Sequence, residues 1–135
     1  ADVLLMKAEA MIALNGEGDA TAKELLGKIR QRAGLDAAND ASWKELKLQR
    51  RLELAFEFMP SRHIDLIRWG DAKETYAKPT QKVVSHWDWS TSTVVIDGVQ
   101  NFDEGRTFDP EINQVFPIPV KAFDGAINLK QNIGY

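Results

Sequence analysis

The sequence predicts a mainly α-helical protein, in which antiparallel helix pairs are followed by an irregular region with a short β-hairpin. In the first half of the chain, apolar residues recur at helical spacing, and capping residues or glycines separate the helical stretches. This periodicity is lost beyond Pro79, a residue that forbids much extension of a helix. We therefore expect residues 1–78 to be helical and residues 79–135 to be mostly irregular.

Composition and charge exclude several classes of function. The net charge is −3 and the two signs of charge are mixed along the chain, whereas nucleic-acid-binding proteins usually carry a basic patch. The absence of cysteine excludes disulfides and cysteine metal sites. No apolar run approaches the ~20 residues of a membrane-spanning helix, and no glycine-rich phosphate loop follows a strand. The sequence thus predicts no nucleic-acid partner and no cofactor.

The first two helices are expected to form an antiparallel pair. The first should run from about Asp2 to Asn15 and end at Gly16, because glycine tolerates the left-handed conformation of a helix cap. Asp19 can cap a second helix that ends at Gly34, and a link this short implies an αα-hairpin. The first helix has few charged residues and lacks a broad polar face, so we interpret the chain as a fragment of a longer protein. The apolar positions of the second helix are Ala22, Leu25, Leu26, Ile29 and Ala33.

Two further helices are predicted downstream. Ser42 and Glu45 have the spacing of a capping box, in which each side chain bonds to a backbone N–H group of the other residue. They precede a helix that should run from Trp43 to about Met59. Ser61 can cap a fourth helix that continues past Gly70.

Two glutamates share one face of the third helix. Glu53 and Glu57 are four residues apart, Arg50 lies on the same face, and carboxylates placed in this way repel each other unless a cation joins them. We expect Arg62 or Arg68 to reach one of these carboxylates. The structural ion pairs predicted here involve Arg50, Glu53, Glu57, Arg62, Asp65 and Arg68.

The same two glutamates raise the alternative of a glycosidase. Such an enzyme needs two exposed carboxylates that face one cleft and lie roughly 5–9.5 Å apart. An adjacent arginine stabilises an ionised carboxylate and opposes a proton-donating role. The sequence therefore predicts no catalytic residue.

The second half of the chain contains one hairpin signal. Thr93–Ile96 and Val99–Phe102 flank Asp97-Gly98, a dipeptide that is typical of two-residue hairpin turns. The segment 116–119 (FPIP) is expected to be extended, because each proline disfavours helix at the residue before it.

The segment 85–90 (SHWDWS) is the sharpest candidate for ligand binding. In an extended segment Trp87 and Trp89 point to the same side, where flat indole rings can pack against the apolar face of a sugar. His86 and Asp88 can exchange hydrogen bonds with sugar hydroxyls. The alternative is that these tryptophans simply cover a core.

A second and weaker binding candidate beyond the hairpin signal consists of Asn101, Phe102 and Asp103. The two histidines, His63 and His86, lie far apart without a motif of metal-ligand spacing, so no metal site is predicted.

Several short blocks resemble a known family. In order along the chain they are residues 4–10 (LLMKAEA), 29–34 (IRQRAG), 50–57 (RRLELAFE) with 62–70 (RHIDLIRWG), and 117–119 (PIP) with 131–135 (QNIGY). Together they are similar to the C-terminal part of the SusD/RagB family, so that residues 1–135 resemble its C-terminal domain.

The resemblance implies a longer protein with tetratricopeptide-like helix pairs, anchored by lipid to the outside of the outer membrane. It implies non-catalytic capture of oligosaccharides, or in some members peptides, above a SusC-type TonB-dependent transporter. The membrane contact would be made only by an N-terminal lipid anchor that this sequence does not contain. A helical scaffold that binds protein or peptide is the alternative function.

Overall fold

A computed structural model describes residues 1–38, 40–57 and 62–135. These residues form two units, Ala1–Asp65 and Leu66–Tyr135. The predicted cap at Ser61 and the predicted helix end at Met59 lie outside the described residues.

Helices precede a β-hairpin, which confirms the predicted fold class. The helices are α1 (Asp2–Asn15), α2 (Ala20–Arg32), α3 (Trp43–Glu53), α4 (Arg62–Arg68) and α5 (Ala72–Ala77). The strands are β1 (Gln81–Asp88) and β2 (Thr93–Asn101), and a short 3-10 helix follows at Val120–Phe123.

The ends of α1 and α2 are set by their caps, as predicted. Gly16 has a φ of 92°, and its N–H donates to the carbonyl of Ile12. The carboxylate of Asp19 accepts a hydrogen bond from the N–H of Ala22 at 2.8 Å. Both signals act within one turn of the helix, which is why the sequence alone was sufficient to find them.

One apolar cluster forms the core of the first unit. α1 contributes only one face to it, since Val3 and Leu14 are 72% and 79% exposed. The buried members come from α1, α2, α3 and the segment between α2 and α3: Leu5, Ala8, Ile12, Ala22, Leu25, Leu26, Ile29, Ala38, Ala41 and Leu46.

The capping box before α3 is only half formed. The Ser42 hydroxyl accepts a hydrogen bond from the N–H of Glu45 at 3.1 Å. The Glu45 carboxylate instead accepts hydrogen bonds from Arg30 at 3.0 Å and Gln49 at 2.9 Å. A charged partner on a neighbouring helix therefore replaces the backbone donor that the sequence pattern predicted.

α3 ends at Glu53, so the prediction of a helix to Met59 is wrong. Its last bond runs from the Leu54 N–H to the Arg50 carbonyl at 3.1 Å. Helices of this length depend on packing against an apolar face. Because Phe56 is fully exposed, another helical turn there would bury little apolar surface.

The fourth predicted helix is two helices. Gly70 has a φ of 75°, which breaks the helix between α4 and α5. The N–H of Asp71 donates to the carbonyl of Leu66 at 2.9 Å and closes α4. The predicted continuation past Gly70 is therefore wrong, because this glycine adopts a conformation that a helix does not contain.

Arg50 is a buried charge with two acidic partners in the first unit. Its Nε and Nη2 donate to the two oxygens of Asp65 at 2.8 and 3.2 Å, and its Nη1 donates to Asp2 at 2.9 Å. The side chains of Arg50 and Asp65 are only 2% and 6% exposed. This group ties α1, α3 and the first turns of α4 together through charge-assisted hydrogen bonds.

Glu53 pairs with Arg32 at the end of α2, and not with the predicted Arg62 or Arg68. Glu57 is exposed, and the described part of the chain contains no ion pair to it. The guanidinium of Arg68 lies 5.0 Å from the ring centroid of Trp69. The partner of Glu53 was missed because it comes from a helix far away in sequence.

The hairpin of the second unit closes in a different place from the predicted turn. β1 and β2 pair antiparallel over Gln81–Asp88 and Thr93–Asn101, and the chain reverses between Asp88 and Thr93. Residues 81–88, predicted to be irregular, are a strand. Hairpin closure at Asp97-Gly98 is therefore wrong.

Asp97 instead forms a β-bulge within β2. Val84 pairs with Gly98 and Ser85 pairs with Ile96, so Asp97 has no partner of its own in the ladder. The longer hairpin gains cross-strand pairs between large side chains, such as Trp87 with Val94. These pairs outweigh the local turn preference of the dipeptide.

The second unit has a small core, and hydrogen bonds from Gln131 hold the segment around Ile118 in place. Leu66, Ala72 and Phe108 are buried. The amide of Gln131 accepts from the N–H of Ile118 at 2.7 Å and donates to its carbonyl at 2.9 Å. Ile118 lies between two prolines, which have no N–H group, so its own N–H is the one backbone donor in residues 117–119. By bonding to this N–H group and to the Ile118 carbonyl, Gln131 holds the segment extended, as predicted.

We expect Asp65→Asn to lower the free energy of unfolding by about 3 kcal/mol, because it leaves Arg50 buried with only Asp2 as a charged partner. Denaturant-induced unfolding measures this change. The control is Glu24→Gln, which removes the exposed Glu24–Lys28 pair and should shift the unfolding midpoint little. Equal shifts in the two variants would contradict the role assigned to Arg50.

Candidate functional site

The residues singled out for ligand binding lie mainly at the closed end of the hairpin. We define the hairpin tip as residues 86–97, which comprise the end of β1, the turn and the first part of β2. His86, Trp87 and Asp88 are the last residues of β1, and Trp89 begins the turn. The structure therefore places four of the predicted binding residues at the closed end of the hairpin, with His86 and Trp87 on opposite faces of β1.

The two tryptophans form an edge-to-face pair. Their ring centroids are 6.1 Å apart, and the ring planes are inclined by 77°. Trp87 and Trp89 are 46% and 87% exposed, so neither ring is fully covered by the described residues of this chain. Because the strand ends at Asp88, Trp89 leaves the alternation that the extended segment predicted and packs at an angle to Trp87.

Asp88 organises the turn. One carboxylate oxygen accepts from the Ser90 N–H at 2.8 Å and from its hydroxyl at 2.6 Å, and the other accepts from the Thr91 hydroxyl at 3.0 Å. The hydrogen bonds of the Ser90 side chain, then those of the Ser90 backbone and Thr91, lower the pKa of Asp88. Most of its acceptor capacity is thus used within the turn, and less remains for a ligand than predicted.

The bulge brings Asp97 to His86. The Nδ1 atom of His86 lies 2.9 Å from each carboxylate oxygen of Asp97. A carboxylate only accepts, so Nδ1 carries the proton and donates it. The described residues offer no other hydrogen bond to this ring, which keeps Nε2 accessible on a side chain that is 57% exposed.

Asn101 does not belong to this site. It pairs with Gln81 at the open end of the hairpin, whereas Trp87 pairs with Val94 near the closed end. At the rise of a β-strand, seven residues separate Val94 and Asn101 by about 23 Å. Asn101 is therefore separate from the hairpin tip, and its contribution to binding stays a prediction.

Sequence reasoning missed an apolar surface next to Trp87. Val83, Trp87, Val94, Ile96 and Val99 lie on one face of the hairpin, by strand alternation and the observed register. Each is between 46% and 64% exposed. Val83 and Trp87 are an even number of residues apart, which in a strand indicates one common face. Their partners on β2 could not be predicted, because the turn was predicted at Asp97-Gly98 and the observed turn lies between Asp88 and Thr93.

Neither a metal centre nor a membrane span is found among the described residues. Residues 1–38, 40–57 and 62–135 contain no group of histidine, aspartate or glutamate side chains that could hold a metal ion. Within the same ranges, each helix is too short or too polar to cross a bilayer.

Comparison with known proteins identifies the family. A search of curated protein sequences found no significant match. The model of the SusD family matches residues 1–135. The chain belongs to the SusD family. This confirms the resemblance noted in its sequence blocks.

A solved structure is also similar to this SusD-family chain. It is the crystal structure of a SusD superfamily protein from Parabacteroides distasonis, with 26% sequence identity and a TM-score of 0.61. The match covers 99% of this chain and 26% of that chain, so this chain spans about a quarter of that protein's length. SusD-family proteins are generally non-catalytic binding proteins and outer-membrane surface lipoproteins.

We predict that ionised Asp88 keeps the tip ordered. Its pKa is lowered from the ordinary value of 3.8, so the order that it confers is fully present above pH 3.8 and is lost as the pH falls through the lowered pKa. Asp88→Asn should shift or broaden the indole N–H signals of Trp87 and Trp89 in ¹H–¹⁵N NMR spectra at neutral pH.

The same substitution should abolish the acid-induced change of these two signals. Asp124→Asn, at an exposed aspartate outside the tip, is the control and should leave both signals as in the wild type. If the wild type and Asp88→Asn gave identical spectra from neutral to acidic pH, the role of Asp88 in the turn would be refuted.

Proposed function

We propose that this SusD-family chain takes part in non-catalytic binding of oligosaccharides at the outer-membrane surface. The exposed Trp87–Trp89 pair is the observation that carries the proposal. Sugar rings expose C–H groups on one face, and indole rings offer large flat apolar surfaces that pack against them. Exposed tryptophans that touch each other at a hairpin end provide such surfaces without any rearrangement of the chain.

The inclined rings suit an oligosaccharide better than a flat stack would. Two planes at 77° form a corner, so one sugar ring can lie against Trp87 while a neighbouring ring lies against Trp89. By strand alternation His86 lies on the opposite face of β1 from Trp87, where its Nδ1 atom lies 2.9 Å from Asp97, so it does not share the surface of the two indole rings. Stacking on the two indole rings would thus supply the affinity for the oligosaccharide.

The carboxylates favour binding over catalysis. Glu53 is paired with Arg32, and its side chain is only 15% exposed. At the tip, Asp88 is held ionised by hydrogen bonds that lower its pKa, which opposes proton donation to a glycosidic bond. The general character of the family as non-catalytic binding proteins supports the same conclusion.

Family membership also supports a cellular role. We propose that the protein is held at the cell surface by a lipid anchor and delivers its glycan to a SusC-type TonB-dependent transporter in nutrient uptake. The support for this partner and location is the family as a whole.

A second candidate is a scaffold that binds a protein or peptide. The exposed apolar side chains Val3, Met6 and Leu14 on α1 favour it, since such residues pack well against another helix. Loss of binding on substitution of these residues, with Trp87 and Trp89 intact, would favour the scaffold.

We expect Trp87→Ala/Trp89→Ala to weaken oligosaccharide binding at least 10-fold. Burial of one large apolar side chain contributes about 1.5–3 kcal/mol, which corresponds to roughly 10- to 100-fold in affinity. Isothermal titration calorimetry on the full chain, with a glycan selected from an array, measures the change.

Phe116→Ala removes an exposed aromatic ring outside the tip and is the matched control. Circular dichroism should show intact folding of both variants. Unchanged affinity in the tryptophan variant would refute the site, and an array on which the wild type binds no glycan would refute the function.

A further inference from the structure

A pocket of about 270 Å³ lies between α5 and the segment that follows the hairpin. It belongs to the second unit and contains none of the hairpin tip residues. The side chains that line it include Lys73, Ala77, Glu104, Arg106, Thr107 and Phe108.

The backbone around this pocket is fixed by hydrogen bonds. The N–H of Arg106 donates to the carbonyl of Tyr76 at 2.6 Å, at the end of α5. One oxygen of Asp103 accepts from the N–H groups of Thr80 and Gly105 at 2.8 and 3.0 Å. These bonds, with that of Thr80 first, lower the pKa of Asp103. The segment is therefore held against α5 before any ligand arrives.

Gly105 allows this close approach. It has a φ of 91°, and a Cβ atom there would lie 2.2 Å from the carbonyl oxygen of Ala77. Only glycine is compatible with both the conformation and the contact. Any residue other than glycine at position 105 would thus disturb the wall of the pocket.

The lining combines two cations, one acid, a hydroxyl and an apolar wall. In residues 62–135, all of which are described, neither Lys73 nor Arg106 forms an ion pair with a carboxylate. Glu104 is the single acidic side chain in the lining, so the lining itself has one more cation than acid, although the neighbouring Asp103, whose pKa Arg106 helps to lower, offsets part of this charge. Thr107 adds a hydroxyl group, and Ala77 and Phe108 add apolar surface.

We infer that this pocket binds an acidic sugar unit, whose carboxylate or sulfate group is held by Lys73 and Arg106. The inference rests on the proposed function, because it specifies the class of glycan. Lysine and arginine are the side chains that bind carboxylates and sulfates through charge-assisted hydrogen bonds. Glu104 and Thr107 accept hydrogen bonds from ring hydroxyls, and the apolar wall receives the C–H face of the sugar.

The test compares acidic and neutral oligosaccharides of equal length on the intact protein. The probes are oligogalacturonate and a sulfated galactan oligosaccharide, with a neutral galactan oligosaccharide as reference. The wild type should bind the acidic probes more tightly than the neutral one. This preference should shrink as ionic strength rises, because salt screens the two cations.

Lys73→Met/Arg106→Met should weaken binding of the acidic probes about 10-fold or more, since each charged hydrogen bond contributes substantially to affinity. Binding of the neutral probe should stay within about 2-fold. Lys73→Arg/Arg106→Lys keeps both charges and should retain the preference. Lys82→Met/Lys121→Met removes two exposed cations outside the pocket and should behave as the wild type.

Equal affinity of the wild type for acidic and neutral probes would overturn the inference and leave the proposed function intact. The same holds if the control pair lowers acidic binding as much as the pocket pair does, because the effect would then come from net charge. Binding of none of the probes by the wild type would count against glycan binding itself.

Discussion

The buried guanidinium of Arg50 is the constraint around which the first unit is organised. A charge that is removed from water must meet opposite charge in good geometry, and Arg50 meets it on Asp65 and on Asp2, which lies 48 residues away in sequence. α1, α3 and the first turn of α4, which contains Asp65, must therefore keep one mutual arrangement. The apolar cluster of α1, α2 and α3 adds most of the buried surface, but it would tolerate small shifts that the ion pairs do not.

The second unit depends on polar groups that hold irregular backbone. Asp88 fixes the turn, Asp103 fixes the segment after the hairpin, and Gln131 fixes the extended stretch at Ile118. Each side chain supplies hydrogen bonds where no helix or sheet can. This lets a unit with a small core keep defined surfaces, and those surfaces are where the candidate ligand contacts lie.

The two ends of the hairpin region carry different chemistry. The closed end presents Trp87 and Trp89, whose interaction with a ligand would be apolar and insensitive to salt. The pocket beyond the open end presents Lys73 and Arg106, whose interaction would be electrostatic. The two sets of side chains share no residue, so each can be substituted without the other.

The sequence by itself determined the helix limits at Gly16 and Asp19, the extended segment around Ile118 and the family, because caps, prolines and short motifs act over a few neighbouring residues. Tertiary structure alone decided that Arg32 reaches Glu53 from 21 residues away. It also decided the hairpin register, which separated Asn101 from the tryptophans. Both outcomes depend on which distant segments meet in space, and residue types at local spacing do not encode that.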